Sequence, residues 1–172
     1  MIVLKEYINE QKELMRLIKV FWLCHNGWNQ TDEETLCDLI NWTKEGHKIY
    51  LIIYNNEKVG FIHLGSRGAG IDWLEDLFVL PEYQNRGIGT KSIELVENIV
   101  KEYSISLYIE AAAKNERAIK LYRKLGYDCL NTISVRKDFK KDNLVCVRKE
   151  KIYDEVFEIK KKLNDEKIQF ID

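Results

Sequence analysis

Residues 72–90 constrain this chain more than any other stretch. Asp72–Leu80 is a β-type run, and Pro81-Glu82-Tyr83-Gln84-Asn85-Arg86-Gly87-Ile88-Gly89-Thr90 follows it, leading into a helical pattern over about Thr90–Tyr103. A strand thus delivers the chain to a glycine-bearing turn, and a helix begins straight after it. Glycine permits positive φ and close approach of the backbone to a ligand. The amides that open the helix point outward at the positive end of its dipole, an arrangement that suits a pyrophosphate. Arg86 and Lys91 stand where they add positive charge at the rim. Spacing excludes two other phosphate motifs. A P-loop needs Gly directly before Lys and another Gly five residues earlier, but Thr90 precedes Lys91 and position 84 is Gln; a dinucleotide fingerprint needs a third Gly or Ala where Ser92 stands.

The rest of the chain supplies alternating α and β segments around this turn. Residues 2–7 read as a strand and Asn9–Leu23 as a helix, broken at His25-Asn26-Gly27. Thr31 and Glu34 form a capping box that opens a second helix bearing Leu36, Leu39 and Ile40. Lys48–Tyr54 and Val59–Leu64 are β-rich runs joined by Asn55-Asn56-Glu57-Lys58, a hairpin signal. After the central helix, Ser106–Ala111 reads as strand, Asn115–Leu125 as helix closed by Gly126, and Tyr127 to about Lys137 as a further strand. Beyond Phe139 the pattern is mixed, and at least one more strand is expected around Val156–Ile159. With 172 residues and one proline, no repeat and no linker, a single α/β domain over residues 1–172 is expected.

Charge and cysteine usage narrow the function classes. Lys+Arg is 27 against Asp+Glu 28, which excludes a broad cationic field for duplex nucleic acid. No apolar run approaches the roughly 20 residues of a membrane helix, and the N-terminus turns polar at once, so neither a membrane partner nor a secretory leader is expected. Cys24, Cys37, Cys129 and Cys146 are far apart and form no Cys-x-x-Cys pair, and the histidines lack ligand spacing. No metal is expected, and the cytoplasm is the expected compartment.

Gln84-Asn85-Arg86-Gly87-Ile88-Gly89 matches the Gln/Arg-x-x-Gly-x-Gly/Ala signature of acetyl-CoA-binding N-acetyltransferases. Leu77–Tyr83 upstream resembles their strand-to-loop approach, and Asn115–Tyr127 resembles their second signature, Asn-x-x-Ala-x-x-x-Tyr-x-x-x-Gly-Phe/Tyr. The chain is therefore identified by resemblance as a member of the GNAT superfamily, firmly over about residues 48–137, with Trp73–Val79 most like the diamine acetyltransferase branch. The resemblance implies a mixed, mostly antiparallel central sheet flanked by helices. It implies that the backbone of Leu77, Phe78 and Val79 pairs with the pantetheine arm of acetyl-CoA. The amides of Asn85, Arg86, Gly87, Ile88, Gly89 and Thr90 hold the pyrophosphate, beside Gln84, and Asn115 contacts the cosubstrate near its thiol end. Tyr122 occupies the position of the general acid that protonates the departing thiolate. Gln84 stands where Arg is commoner, so the phosphate site is one charge short, which Arg86 offsets.

The chemistry asks for a proton acceptor as well. The attacking amine must be neutral, and deprotonating an alkyl ammonium of pKa about 10 costs roughly 4 kcal/mol at pH 7. Glu75 and Asp76 lie just before the cosubstrate-contacting stretch of the central strand, Glu75 being the preferred base. Successive strand residues face opposite ways, so only a β-bulge, which the family tends to have here, exposes both. Trp28, in the Cys24–Gln30 loop that the resemblance places over the acceptor, and Trp73 are candidates for an aromatic wall beside these carboxylates, suited to a cation. Each has a plainer reading: Tyr122 at helical spacing from Ala118 and Ile119 as core, Glu75-Asp76 as an edge-strand solubility device, the tryptophans as packing. The expected activity is acetyl transfer to a small-molecule primary amine in a ternary complex by a monomer or homodimer. A protein lysine or N-terminal amine is the alternative acceptor, and a non-catalytic acyl-CoA-binding module is the alternative of another class.

Overall fold

The computed structural model describes residues 1–68, 70–140 and 142–163, which group into two compact units, Met1–Glu110 and the residues from Ala111 onward. The first unit carries a five-stranded sheet in the order β1 (Ile2–Glu6), β2 (His47–Tyr54), β3 (Glu57–Gly65), β4 (Trp73–Val79), β5 (Tyr108–Ile109). All neighbours run antiparallel except β4 and β5. Helices α1 (Gln11–Asn26) and α2 (Asp32–Thr43) cover one face and α3 (Ile88–Val100) the other. The mixed, mostly antiparallel sheet flanked by helices is the architecture expected from the sequence.

Local chemistry explains the boundaries. Asn55 and Asn56 both have positive φ, 50° and 71°, and form the tight turn of the β2–β3 hairpin, so β3 starts at Glu57 rather than Val59. Gly27, at φ 77°, ends α1 as a left-handed C-cap, which lets the helix run through His25 and Asn26. The capping box of Thr31 and Glu34 is formed.

Two β-bulges set which side chains share a face. Ile53 pairs with Lys58 but Ile52 with Gly60, so Val59 is an extra residue in β3. His63 pairs with Asp76 but Leu64 with Leu74, so Glu75 is an extra residue in β4. The sheet's alternation then feeds two cores. Leu14, Leu17, Ile18, Phe21 and Leu39 pack with Ile49, Leu51, Phe61 and Phe78; Ile88, Val96 and Val100 pack with Ile52, Ile62, Leu64, Leu74 and Val79. Each such fully buried side chain contributes about 1.5–3 kcal/mol relative to exposure.

Between the bulges the strands approach closely at Gly60, where a Cβ would lie 2.0 Å from the carbonyl oxygen of Phe78 and 3.0 Å from Cα of Val79. Backbone cannot move aside as a flexible side chain does. Gly60→Ala is expected to destabilise the fold by about 3 kcal/mol, lowering Tm by roughly 6–12 °C. An unchanged melting curve would contradict this close approach.

The second unit holds α4 (Glu116–Leu125) and an antiparallel hairpin of β6 (Leu144–Ile152) and β7 (Glu155–Lys162). Asn115 caps α4 by accepting from the Ala118 amide at 3.1 Å, and Gly126 closes it at φ 99°. Arg148 of β6 forms an ion pair with Glu116.

Two expectations are corrected here, and that of at least one more strand in the tail is met. The β-rich run from Tyr127 to Lys137 forms no strand: β propensity is realised only with a pairing edge and a surface to pack on, and Leu130 and Val135 remain exposed. The tail contributes two strands, turned at Tyr153 and Asp154, both with positive φ, and β7 includes the expected Val156–Ile159. Ser106–Ala111 shrinks to two strand residues, Tyr108 and Ile109. Residues 164–172 lie outside the described residues.

Candidate active site

The first half of the site is an open strand edge running into an uncapped helix. β5 pairs with β4 only at Trp73 and Leu74, so beyond Leu74 the second edge of β4 has no strand partner among the described residues. The Phe78 carbonyl faces β3, and the Leu80 amide donates to the Val59 carbonyl there at 2.8 Å. Since a strand residue's N–H and C=O share a side and the sides alternate, Leu77 and Val79 present theirs to the open edge. The Gln84 side-chain amide donates to the Val79 carbonyl at 2.8 Å, closing the turn back onto the strand end. Among the described residues, the Leu77 N–H and C=O and the Val79 N–H face this open edge, a geometry that suits an added strand.

The turn that follows is built from left-handed residues, Asn85 at φ 59° and Gly87 at φ 74°. Gly87 is the N-cap of α3, with no side-chain cap, and the first intrahelical bond runs from Lys91 to Gly87. The amides of Ile88, Gly89 and Thr90 therefore head the helix without an intrahelical acceptor. Amides grouped in this way suit an anion. Both rim cations are held locally: Arg86 donates to the Glu82 carbonyl at 2.7 Å, and Lys91 pairs with Glu94 at 2.8 Å.

The second half lies on the α1/α2 face of the same sheet. The bulge sends both Leu74 and Leu77 into the α3-side core, so Glu75 and Asp76 emerge together on the opposite face. Glu75 accepts two hydrogen bonds from Arg67, at 3.1 and 2.8 Å. Arg67 also donates to Glu110 at 2.7 Å and lies 3.7 Å from the centre of the Trp73 ring, which stacks on Tyr108 at 4.8 Å. The guanidinium holds the Glu110 carboxyl below its ordinary pKa. Gly65 makes room for Glu75, since a Cβ there would come within 2.9 Å of its carboxylate arm.

Asp76 has a different partner. Its carboxylate accepts from Nδ1 of His63 at 2.8 Å, and Nε2 of His63 lies 2.8 Å from Nδ1 of His47. Trp42 of α2 stacks on the His63 ring at 4.8 Å. His63 is buried and His47 half-buried, and burial, with His63 and Lys44 nearby, pushes the His47 pKa below its ordinary value.

The other expected site residues are placed as follows. Trp28 packs on Trp22 at 5.7 Å, whereas Trp73 belongs to the Tyr108–Arg67 stack, so the two tryptophans join different aromatic groups. In the second unit, Asn115 spends its side-chain oxygen on capping α4. Tyr122 lies on α4 with its ring 5.9 Å from that of Tyr127, and burial pushes its phenol pKa up, which keeps it protonated. His47, Arg67, Glu110 and Trp42 are not among the site residues expected from the sequence. Alternation from Ile49 puts His47 on the core face, but only the two bulges bring it together with His63 and Asp76.

Comparison with known proteins places this geometry in context. The profile of the acetyltransferase (GNAT) family matches residues 13–127. The aminoglycoside N(6')-acetyltransferase type 1 of Acinetobacter baumannii is 23% identical over 111 residues, 58% of this chain and 76% of that protein. The thialysine N-epsilon-acetyltransferase of Mus musculus is 38% identical over 67 residues, 38% of this chain and 39% of that protein. Among solved structures, AAC(6')-Iy in complex with the bisubstrate analogue CoA-S-monomethyl-acetylneamine superposes with a TM-score of 0.62 at 18% identity, over 80% of this chain and 99% of that one.

Proposed function

Because this chain belongs to the acetyltransferase (GNAT) family, we propose that it transfers the acetyl group of acetyl-CoA to a primary amine of a small, cationic molecule, by direct attack in a ternary complex. The observation that carries this reading is the juxtaposition, within one unit, of an open β4 edge ending in an uncapped helix and a pair of carboxylates on the same strand. The edge at Leu77 and Val79 suits the amide-bearing pantetheine arm, and the turn at Asn85–Thr90 suits the pyrophosphate. Acetyl-CoA supplies the activated thioester carbonyl. Glu75 and Asp76, with Trp73 beside them, form an acidic and aromatic surface that suits an alkyl ammonium. Tyr122 is the proton donor to the leaving thiolate.

A small amine is favoured by what the two named relatives act on, an aminoglycoside and a lysine analogue. Thiol release from acetyl-CoA should appear with at least one member of a panel of polyamines, aminoglycosides, lysine-like amines and peptides with free N-termini. Turnover confined to the peptides would move the acceptor to protein. A protein that binds acetyl-CoA but releases thiol with none of them would be an acyl-CoA-binding module.

A further inference from the structure

We propose that His47, backed by His63 and Asp76, is the base that removes the proton from the acceptor ammonium. This rests on the reading of the chain as an amine acetyltransferase and assigns it a residue. The three groups form a hydrogen-bonded row across β2, β3 and β4, with both links at 2.8 Å. A carboxylate only accepts, so Asp76 fixes the proton of neutral His63 on Nδ1. Nε2 of His63 is then an acceptor, which fixes the proton of His47 on Nδ1. The lone pair at the end of the row is Nε2 of His47, on the less buried of the two rings.

The surroundings favour this assignment over Glu75. Both oxygens of Glu75 already accept from the Arg67 guanidinium, so that carboxylate is engaged by a resident cation and is placed to orient the acceptor rather than to take its proton. His47 pairs with Gly65 across the β2–β3 ladder, and Glu75 lies over Gly65, so the imidazole and the carboxylate are neighbours on one face of the sheet. The groups that act electrostatically on His47 are His63 and Lys44, which disfavour its cation, and Glu75, which favours it; Asp76 acts through His63. Neutral His47 is therefore the form that meets the substrate.

The step balances. Nε2 of His47 takes one proton from R–NH3+, leaving R–NH2 and an imidazolium. As that charge forms, the Nδ1 proton of His47 shifts toward Nε2 of His63, and the positive charge settles beside the Asp76 carboxylate. The amine nitrogen then bonds to the acetyl carbon, the carbon–sulfur bond breaks, and the second amine proton is matched by the one the thiolate acquires. The proton held by the histidine row is the one released to water per turnover. His47 touches the amine and is the catalytic residue; His63 and Asp76 position it and stabilise its cation.

Two measurements decide this. In the first, 15N–1H correlation of the imidazoles near pH 7 should show His63 and His47 both carrying their proton on Nδ1, and Asp76→Asn should perturb the His63 pattern. A His47 protonated on Nε2 overturns the proposal whether or not the protein turns over any amine. In the second, with an acceptor that supports turnover, His47→Gln should lower kcat by about 10²-fold, with acetyl-CoA affinity unchanged. Its rate should keep rising with pH toward the amine's own pKa. Asp76→Asn should move the acidic limb of the kcat profile to lower pH, because removing the charge disfavours the imidazolium. Wild-type kcat and pH profile in His47→Gln would overturn the proposal while leaving acetyl transfer itself intact. Absence of thiol release from the wild type on every amine would instead sink the functional reading.

Discussion

Gly87→Val is expected to weaken acetyl-CoA binding by about 10²-fold or more while leaving the protein folded. Gly87 sits at φ 74°, and a Cβ there meets nothing within 4 Å, so packing does not forbid a side chain. The backbone does: a left-handed conformation costs an L-residue roughly 1–2 kcal/mol, and most of all a β-branched one. Relaxing that strain turns the amides of Ile88, Gly89 and Thr90 away from their common focus. Hydrogen bonds to a charged group are each worth about 1.5–3 kcal/mol, so losing even one or two reaches the expected factor. Gly89→Val, two residues on, should act similarly by placing a branched side chain at the head of α3. Gly27 provides the control, because it holds nearly the same φ, 77°, with the same open space, at the C-terminus of α1. Gly27→Val carries the same strain and should leave acetyl-CoA affinity alone. Calorimetry that finds wild-type affinity in a folded Gly87→Val protein would remove the turn from the cosubstrate site.

Much of this half of the site was legible because it is local. A strand, a positive-φ glycine and a helix start are written within residues 72–90, and the structure places each within two residues of its expected position. The Asn55-Asn56 turn and the Thr31–Glu34 box are local in the same sense. Gln84 shows the limit: its substitution for arginine reads as a missing charge, while its structural work, holding the Val79 carbonyl, depends on how the turn folds back.

The half around Glu75, Asp76 and His63 was harder because it depends on register. Continuing the Tyr54–Glu57 pairing without a break would set His63 opposite Lys48, on the other face from His47. The extra residue Val59 sets it opposite Ile49 instead, which brings the histidines to one face. The extra residue Glu75 then sets Asp76 opposite His63. A one-residue slip reverses every side chain in a strand; Gly60 adjoins Val59, but no glycine or proline adjoins Glu75 to mark its bulge. The opposite error occurred at Tyr127–Lys137, where a good alternating pattern forms no strand because pairing and burial, not propensity, decide.

Tyr122→Phe is expected to lower kcat by about 10²–10⁴-fold, with little change in stability or acetyl-CoA affinity. The substitution keeps the ring that packs 5.9 Å from Tyr127 and deletes only the hydroxyl. Burial raises the phenol's pKa above its usual 10, so Tyr122 stays protonated through the neutral range. An ordinary thiol has a pKa of about 8.5, so handing a proton to a free thiolate is uphill by roughly 2 kcal/mol or more. A donor here would therefore act as the carbon–sulfur bond breaks, while the sulfur still lacks a proton of its own, and would recover its proton from the acetylated nitrogen or from water. Losing the hydroxyl should slow the variant most with acyl donors whose thiolates are the poorest leaving groups, and an activated aryl thioester should recover much of the rate. That pattern separates a proton donor from a packing residue, whose loss would slow all donors alike. If Tyr122→Phe turns over acetyl-CoA at nearly the wild-type rate, its place in α4 is explained by packing, and the thiolate takes its proton from water.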